Sequence, residues 1–259
     1  MDPARPIRLT SPPRASIIVV THNNLELTRL CLASLQRAKG STPFELIVAD
    51  NASTDGTVAY LDPLRDLLPL RVSANASNLG FSAANNRAAA MAHGEILVFL
   101  NNDTVVVPGW LERLIAHLDR DSSIGLVGPV TNSCGNEAEI AAPYSELSGM
   151  ALFAEEHTRA HAGECRDIPM LTLFCAAMPR ALFEEIGGLD EGYGVGMFED
   201  DDLSMRIRAR GKRPVIAEDV FVHHYGGASF AKLPARKYLR IWWQNRRRFE
   251  RTWGPWQPR

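Results

Sequence analysis

The sequence predicts an α/β fold: a mainly parallel, doubly wound sheet flanked by helices, with a small mixed sheet portion toward the C-terminus. Three observations predict it. Short unbroken runs of β-branched and other apolar residues recur along the chain, as strands buried on both faces require. Segments with apolar residues at helical spacing separate them. The resulting order, strand then helix repeated, closes most naturally as a parallel sheet. The chain has 259 residues, 46% of them hydrophobic and 22% charged, which suits one large α/β domain or two small ones with a buried core.

Ser16-Ile17-Ile18-Val19-Val20 reads as the first buried strand. Leu27, Leu30, Cys31, Leu35 and Ala38 then recur at helical spacing. Residues 44–49 form a second buried strand, which ends at Asp50. Thr54 or Asp55 can cap a helix running toward Leu68, and residues 70–73 read as a short third strand. Residues 81–92 are Ala-rich and helical, and the strand 95–100 runs straight into Asn101-Asn102-Asp103. Pro108 suits the first position of a helix through Leu118, and 124–130 is a further strand. Residues 131–168 have weak periodicity and read as a long loop with one short helix near 151–161, a length that usually marks function or mobility. A strand follows at 170–176, then a helix opened by Pro179 and closed by Gly187-Gly188. A helix at 201–210, short strands near 214–217 and 220–223, and a last helix from Pro234 complete the pattern. The expected division is an N-terminal extension (1–14), a main domain (15–230) and a C-terminal tail (231–259). Within the main domain, 15–130 would bind a nucleotide and 131–230 would face an acceptor.

A net charge of −2 gives no electrostatic footprint for nucleic acid. The four cysteines lack CxxC spacing and read as buried free thiols in a reducing compartment. The N-terminus has no apolar signal core, and no window reaches about eighteen apolar residues, so a cytoplasmic location is expected. No sequence feature sets an oligomeric state.

Ligands of open parallel sheets bind beyond the carboxyl ends of the strands. Four polar clusters fall there: Thr21-His22-Asn23-Asn24, the run Asp50 to Gly56, Asn78-Leu79-Gly80-Phe81 with Asn85, and Asn101-Asn102-Asp103. Each alone reads equally well as turn chemistry. Four at one sheet edge are better explained by a crevice. Neither GxGxxG nor GxxxxGK[ST] is present, so a Rossmann site and a P-loop are excluded. A diphosphate would then need another counterion, and a hard divalent cation held by Asp103, with phosphate oxygens and water, fits that need. Glu199-Asp200-Asp201-Asp202 is a run of mutually repelling acids, eased in part by a helix N-terminus. It could be an exposed first turn, or it could supply a base for an attacking hydroxyl. His223-His224 precede a Gly pair, and spacing alone does not choose between them as a further metal contact.

The sequence resembles the family 2 glycosyltransferases of the GT-A fold, most closely a bacterial rhamnosyltransferase-like branch. The resemblance rests on Val19-Val20-Thr21-His22-Asn23, the stretch Val48 to Thr57, and Asn78 to Asn86. It continues through Phe99-Leu100-Asn101-Asn102-Asp103, Gly187-Gly188-Leu189-Asp190-Glu191, Glu199 to Leu203, and His223 to Ser229, together covering about 15–230 in the family's order. It implies an inverting transfer of a sugar from a nucleotide-diphosphate donor, UDP- or dTDP-linked, to an acceptor hydroxyl on a glycan or lipid-linked glycan. Thr21 and Asn23 would line the nucleotide, and Asp50 would bond the base. Asn51, Ser53 and Asp55 would shape that pocket, with Asn78, Gly80 and Asn85 adding to the donor site and Asn101 and Asn102 beside it. Asp103 would hold Mg2+ or Mn2+, with His224 approaching the metal or the diphosphate. Asp200 would be the base, with Glu199 beside it and Asp202 orienting the helix or an acceptor. The sequence departs from the family's DxD pattern by retaining only its last acid, so the metal site rests on fewer charges.

Two other classes can be weighed. A sugar nucleotidyltransferase would need a Gly-rich, basic loop after the first strand, which Thr21-His22-Asn23-Asn24 is not. A non-catalytic nucleotide-sugar or glycan-binding module would be signalled by loss of Asp200, which is present. From Lys232 onward the tail holds nine Lys or Arg, one Glu and four of the five Trp. Such a helix suits peripheral contact with the inner face of a membrane. Packing of the Trp residues on the sheet is the preferred expectation, because amphipathic helices usually dock on their own domain.

Overall fold

The sheet grows outward from β1 (Ala15–Thr21), six of whose seven residues are buried, as a strand covered on both faces requires. The computed structural model describes residues 12–227 and 234–257. Ala228, Ser229 and Lys232, which entered the readings above, lie outside them. β2 (Phe44–Asp50) and β4 (Ile96–Asn101) flank β1 in parallel, and β3 (Leu70–Ala74) extends the sheet beyond β2. The eight strands run β3-β2-β1-β4-β8-β6-β9-β7, where β6 is Ile124–Val130, β7 Cys165–Asp167, β8 Cys175–Pro179 and β9 Arg213–Phe221. β8 is antiparallel to both β4 and β6, β7 is antiparallel to β9, and the other pairs are parallel. A separate pair, β5 (Thr104–Val105) with β10 (His223–His224), forms a small antiparallel sheet.

Two apolar layers hold the sheet. One carries α1 (Leu25–Arg37) and α4 (Trp110–Arg120); the other carries α3 (Phe81–Ala89), α5 (Leu147–Ala160), α6 (Arg180–Glu185) and α7 (Glu199–Ala209). Phe99 and Phe221 are fully buried in the second layer. Removing a side chain of this size from water contributes roughly 1.5–3 kcal/mol.

Several boundaries differ from expectation for identifiable reasons. The helix expected to reach Leu68 begins at Thr57 as α2 (Thr57–Leu61), and a 3-10 turn over Asp62–Asp66 replaces its continuation. Pro63 has no N–H to continue the ladder. α4 begins at Trp110 rather than Pro108, because Gly109 takes the capping position at φ +80°, open to glycine but strained for other residues. Residues 131–168 hold more structure than a loop: α5 spans 14 residues, and β7 pairs with β9. All three β7 residues are exposed, so no hydrophobic alternation announces the strand. The strand expected at 170–176 lies instead at 175–179, with Pro179 as its last residue. The two short strands expected near 214–223 are one strand, β9, with a register shift where Val130 pairs with Phe221. Of the cysteines, Cys31 and Cys175 are buried and free, but Cys165 is exposed on β7.

The last helix, α8 (Ala235–Trp253), follows Pro234 as expected. Its aromatic residues do not pack on the sheet. Trp242, Phe249, Trp253 and Trp256 gather around Tyr193 and Phe198, the segment that leads into α7.

Candidate active site

The carboxyl ends of β1, β2 and β4 open onto a cavity of about 520 Å³. Asn51 lines its wall and ties three loops together. Its backbone N–H donates to Thr21 O at 2.7 Å, its Nδ2 donates to Gly80 O at 3.1 Å, and its Oδ1 accepts from Asn75 Nδ2 at 2.9 Å. Asn78 lines the cavity too, and its Oδ1 accepts from Gly80 N at 2.9 Å. Gly80 is required to be small: a Cβ there would lie 2.1 Å from the carbonyl oxygen of Gly194, and its φ is +86°.

The other residues expected on the donor side stand behind this wall. Asp50 is buried, accepting from Thr21 Oγ1 at 3.0 Å and from Ser53 N at 2.9 Å. The Asn23 backbone N–H donates to Ser53 Oγ, and its side-chain oxygen accepts from Thr54 N, both at 2.8 Å. Asp55 accepts from the first backbone N–H groups of two helices, Leu25 at 2.8 Å and Thr57 at 3.1 Å. Burial alone would raise its pKa, but the Thr57 hydroxyl and these N–H donors together lower it. Asn85 is buried within α3 and donates to Phe81 O. His22, Thr172, Leu173 and Phe174 line the cavity although no role was read for them. The last three belong to the stretch expected as a strand interior, which gave no polar signal to find them by.

The β5–β10 pair brings Asp103 and His224 together on the cavity wall. His224 Nδ1 lies 2.7 Å from Ser133 O, and a carbonyl only accepts, so Nδ1 carries the proton. In the neutral ring, Nε2 then presents a lone pair, and it lies 3.3 Å from Asp103 Oδ1. That oxygen is buried and accepts no hydrogen bond. A proton on Nε2 makes the two an ion pair; without it, their lone pairs fit a divalent ion between or beside them. Among the described residues no group of three His, Cys, Asp or Glu could enclose one. The remaining ligands would come from a diphosphate and water, the usual habit of magnesium. Phe174 stacks on the His224 ring at 4.9 Å and fixes its plane. His223 points elsewhere, toward the Tyr144 hydroxyl at 2.6 Å.

The four acids at the start of α7 are sorted by their partners. Trp256 Nε1 donates to Asp201 and Trp253 Nε1 to Asp202, each at 2.8 Å. The second Asp202 oxygen accepts from Arg206 Nε at 2.8 Å. Asp202, expected to orient the helix or an acceptor, is held by these contacts and is not on the cavity wall. Glu199 and Asp200 are. Asp200 is half-buried, and its Oδ1 accepts from Asp201 N at 2.9 Å. Glu199 is buried, its Oε2 has no hydrogen-bond partner, and burial followed by the neighbouring Asp200 charge pushes its pKa up to about 8. Burial and the neighbouring charge favour the protonated form of Glu199, and Asp200, half-buried on the same wall, is the carboxylate placed to accept a proton.

Residues 16–187 match the family model described as Glycosyl transferase family 2. The chain is 30% identical over 236 residues to the O-antigen biosynthesis protein RfbC of Myxococcus xanthus, covering 86% of this chain and 18% of that protein. It is 27% identical over 249 residues to an N-acetylglucosaminyl-diphospho-decaprenol L-rhamnosyltransferase of Mycobacterium tuberculosis, covering 85% of this chain and 78% of that one. The first relatives are much longer proteins, of which this chain spans 25% and 18%. The structure of a mannosyltransferase from Pyrobaculum calidifontis, in complex with GDP-Man and Mn2+, superposes with a TM-score of 0.62 at 24% identity. The alignment covers 88% of this chain and 59% of that one. That likeness establishes the GT-A architecture.

Proposed function

Because the chain belongs to glycosyl transferase family 2, we propose that it transfers a sugar from a nucleotide-diphosphate donor, UDP- or dTDP-linked, to an acceptor hydroxyl with inversion. The observation that carries this reading is that one cavity is lined both by the Asp103–His224 pair and by Asp200. Asp103 and His224 lie within 3.3 Å of each other on its wall, and the Asp200 carboxylate lines the same cavity. The nucleotide would lie along Asn51, Asn78 and Gly80, where backbone and amide groups can reach it closely. Asp103 and His224 would hold Mg2+ or Mn2+, which when bound would neutralise charge on the departing diphosphate. Asp200 takes the proton from the acceptor hydroxyl as that oxygen attacks the anomeric carbon. Glu199, protonated, donates a hydrogen bond to a substrate oxygen within reach of its unpartnered Oε2.

The lipid-linked substrate named for the Mycobacterium tuberculosis relative and the outer face of α8 support a glycan acceptor carried on a lipid, in surface polysaccharide synthesis. Leu239 and Trp243 are exposed on that helix, and Arg236, Arg240 and Arg247 share its outward side. No helix among the described residues is long and apolar enough to cross a membrane. Contact would therefore be peripheral, at the cytoplasmic face.

The test is a thermal-shift screen of nucleotide diphosphates with and without Mn2+, run on the wild type and on Asp200→Asn. The expected result is stabilisation by one base in a metal-dependent way, equal in both proteins, with transfer abolished only in the variant. Stabilisation follows RT ln(1 + [L]/Kd), so a hundredfold excess over Kd gives about 2.7 kcal/mol. No response to any nucleotide overturns the reading. Undiminished turnover in the variant removes Asp200 as base, and binding without wild-type turnover favours a non-catalytic module.

A further inference from the structure

The segment between the short 3-10 turn Glu191–Tyr193 and α7 supplies Val195, Gly196 and Met197 to the cavity wall and leads directly into Glu199 and Asp200. Its backbone is not relaxed. Met197 and Phe198 have φ of +77° and +72°, a left-handed region that costs non-glycine residues of order a kcal/mol or more. Such a conformation persists only where the surroundings impose it.

Asn245 supplies the central constraint. It projects from the inner face of α8, is 7% exposed, and its Nδ2 donates toward three carbonyls of this one segment. These are Tyr193 O at 2.9 Å, Gly196 O at 2.8 Å and Met197 O at 3.1 Å. Two N–H bonds shared among three acceptors draw the loop around a single point. The neighbouring contacts fix both ends. Arg248 makes a paired contact with Asp190 at 2.9 and 2.8 Å, and the indoles of Trp256 and Trp253 hold Asp201 and Asp202. On the cavity's far side, Phe81 N donates to Gly194 O at 3.2 Å, so the loop leans on the donor wall while α8 grips it from behind.

We infer that Asn245 is a positioning residue for sugar transfer: its amide holds the 193–198 loop closed and thereby sets where Asp200 meets the acceptor hydroxyl. The inference rests on the proposed transfer activity. Asn245 touches no cavity space itself and has no part in nucleotide binding. Its side chain must donate, because all three partners are acceptors. An aspartate of the same shape would set a carboxylate against three carbonyl oxygens and push the loop away.

The test compares Asn245→Asp with the wild type in the full chain. The expected outcome is a kcat lowered by about tenfold or more, as misplacement of a base by an ångström produces, with nucleotide affinity unchanged within about twofold. Faster amide hydrogen exchange over 194–198 should accompany it, with β1 and β2 unchanged. A merely structural role would lower the melting temperature but leave kcat per folded molecule intact, and that result overturns the inference. If Asn245→Asp does not fold, Asn245→Ser, which keeps one donor, is read in the same two ways. If the wild type transfers no sugar, the proposed function falls, and the exchange measurement alone then judges the clamp: unchanged protection over 194–198 rejects it.

Discussion

Glu199 shows how one carboxyl can be read from its surroundings. Its folded-state pKa is raised to about 8, above the ordinary carboxylate range, by burial first and by Asp200 second. A raised acid binds its proton more tightly in the native state than in the unfolded chain. Stability is therefore fullest below the unfolded value and falls as pH rises through the window up to about 8, by roughly a few kcal/mol at most. Glu199→Gln removes the titration while keeping a donor. Denaturant midpoints measured between about pH 5 and pH 8 should fall more for the wild type than for the variant. Equal slopes would show that Glu199 ionises freely. The sequence made the acid run conspicuous but could not rank its members, because the ranking depends on Trp253 and Trp256, more than fifty positions away. Asp103 and His224 were legible as polar residues beside strands; their facing lone pairs became visible only once β5 and β10 were paired.

At the scale of elements, the β-strands of the first half were the most legible, since β1, β2 and β4 each carry an unbroken apolar run, Ile17 to Val20, Leu46 to Ala49 and Ile96 to Leu100. Elements with weak hydrophobic pattern were not. β7 is wholly exposed, and the position of β8 is set by its antiparallel fit between β4 and β6 rather than by its composition. The loop opening α3 makes a sharper demand. Gly80→Ala would place a methyl group 2.1 Å from the Gly194 carbonyl at a backbone angle that suits glycine. The expected result is a loss of roughly 1–3 kcal/mol in stability, read by urea denaturation, together with weakened nucleotide binding. A variant as stable as the wild type would mean that the loop after β3 yields readily.

For the whole molecule, the doubly wound parallel plan was legible from alternation alone, whereas the docking of α8 was not. The four Trp residues of α8 and the tail just after it suggested a face to be buried but not which partner would bury it. The partner is the approach to α7, because buried Asp201 and Asp202 need donors that the sheet cannot offer. That docking leaves the opposite face of α8 outward with its arginines, Leu239 and Trp243. Vesicles containing anionic lipid should bind the protein, and Arg240→Glu with Arg247→Glu should weaken binding by about tenfold or more. Equal binding to neutral vesicles, or none to either, would count against membrane contact. The seam between Gly80 and Gly194 carries one more consequence, for engineering. The matched family region ends at residue 187, before the loop that leans on that seam. A chimera that joins the first part of one relative to the last part of another across this seam must match there, atom against atom. Grafts that import a side chain at position 80 would fail unless the loop at 194 comes with them, so the two segments can be exchanged only as a pair that shares this fit.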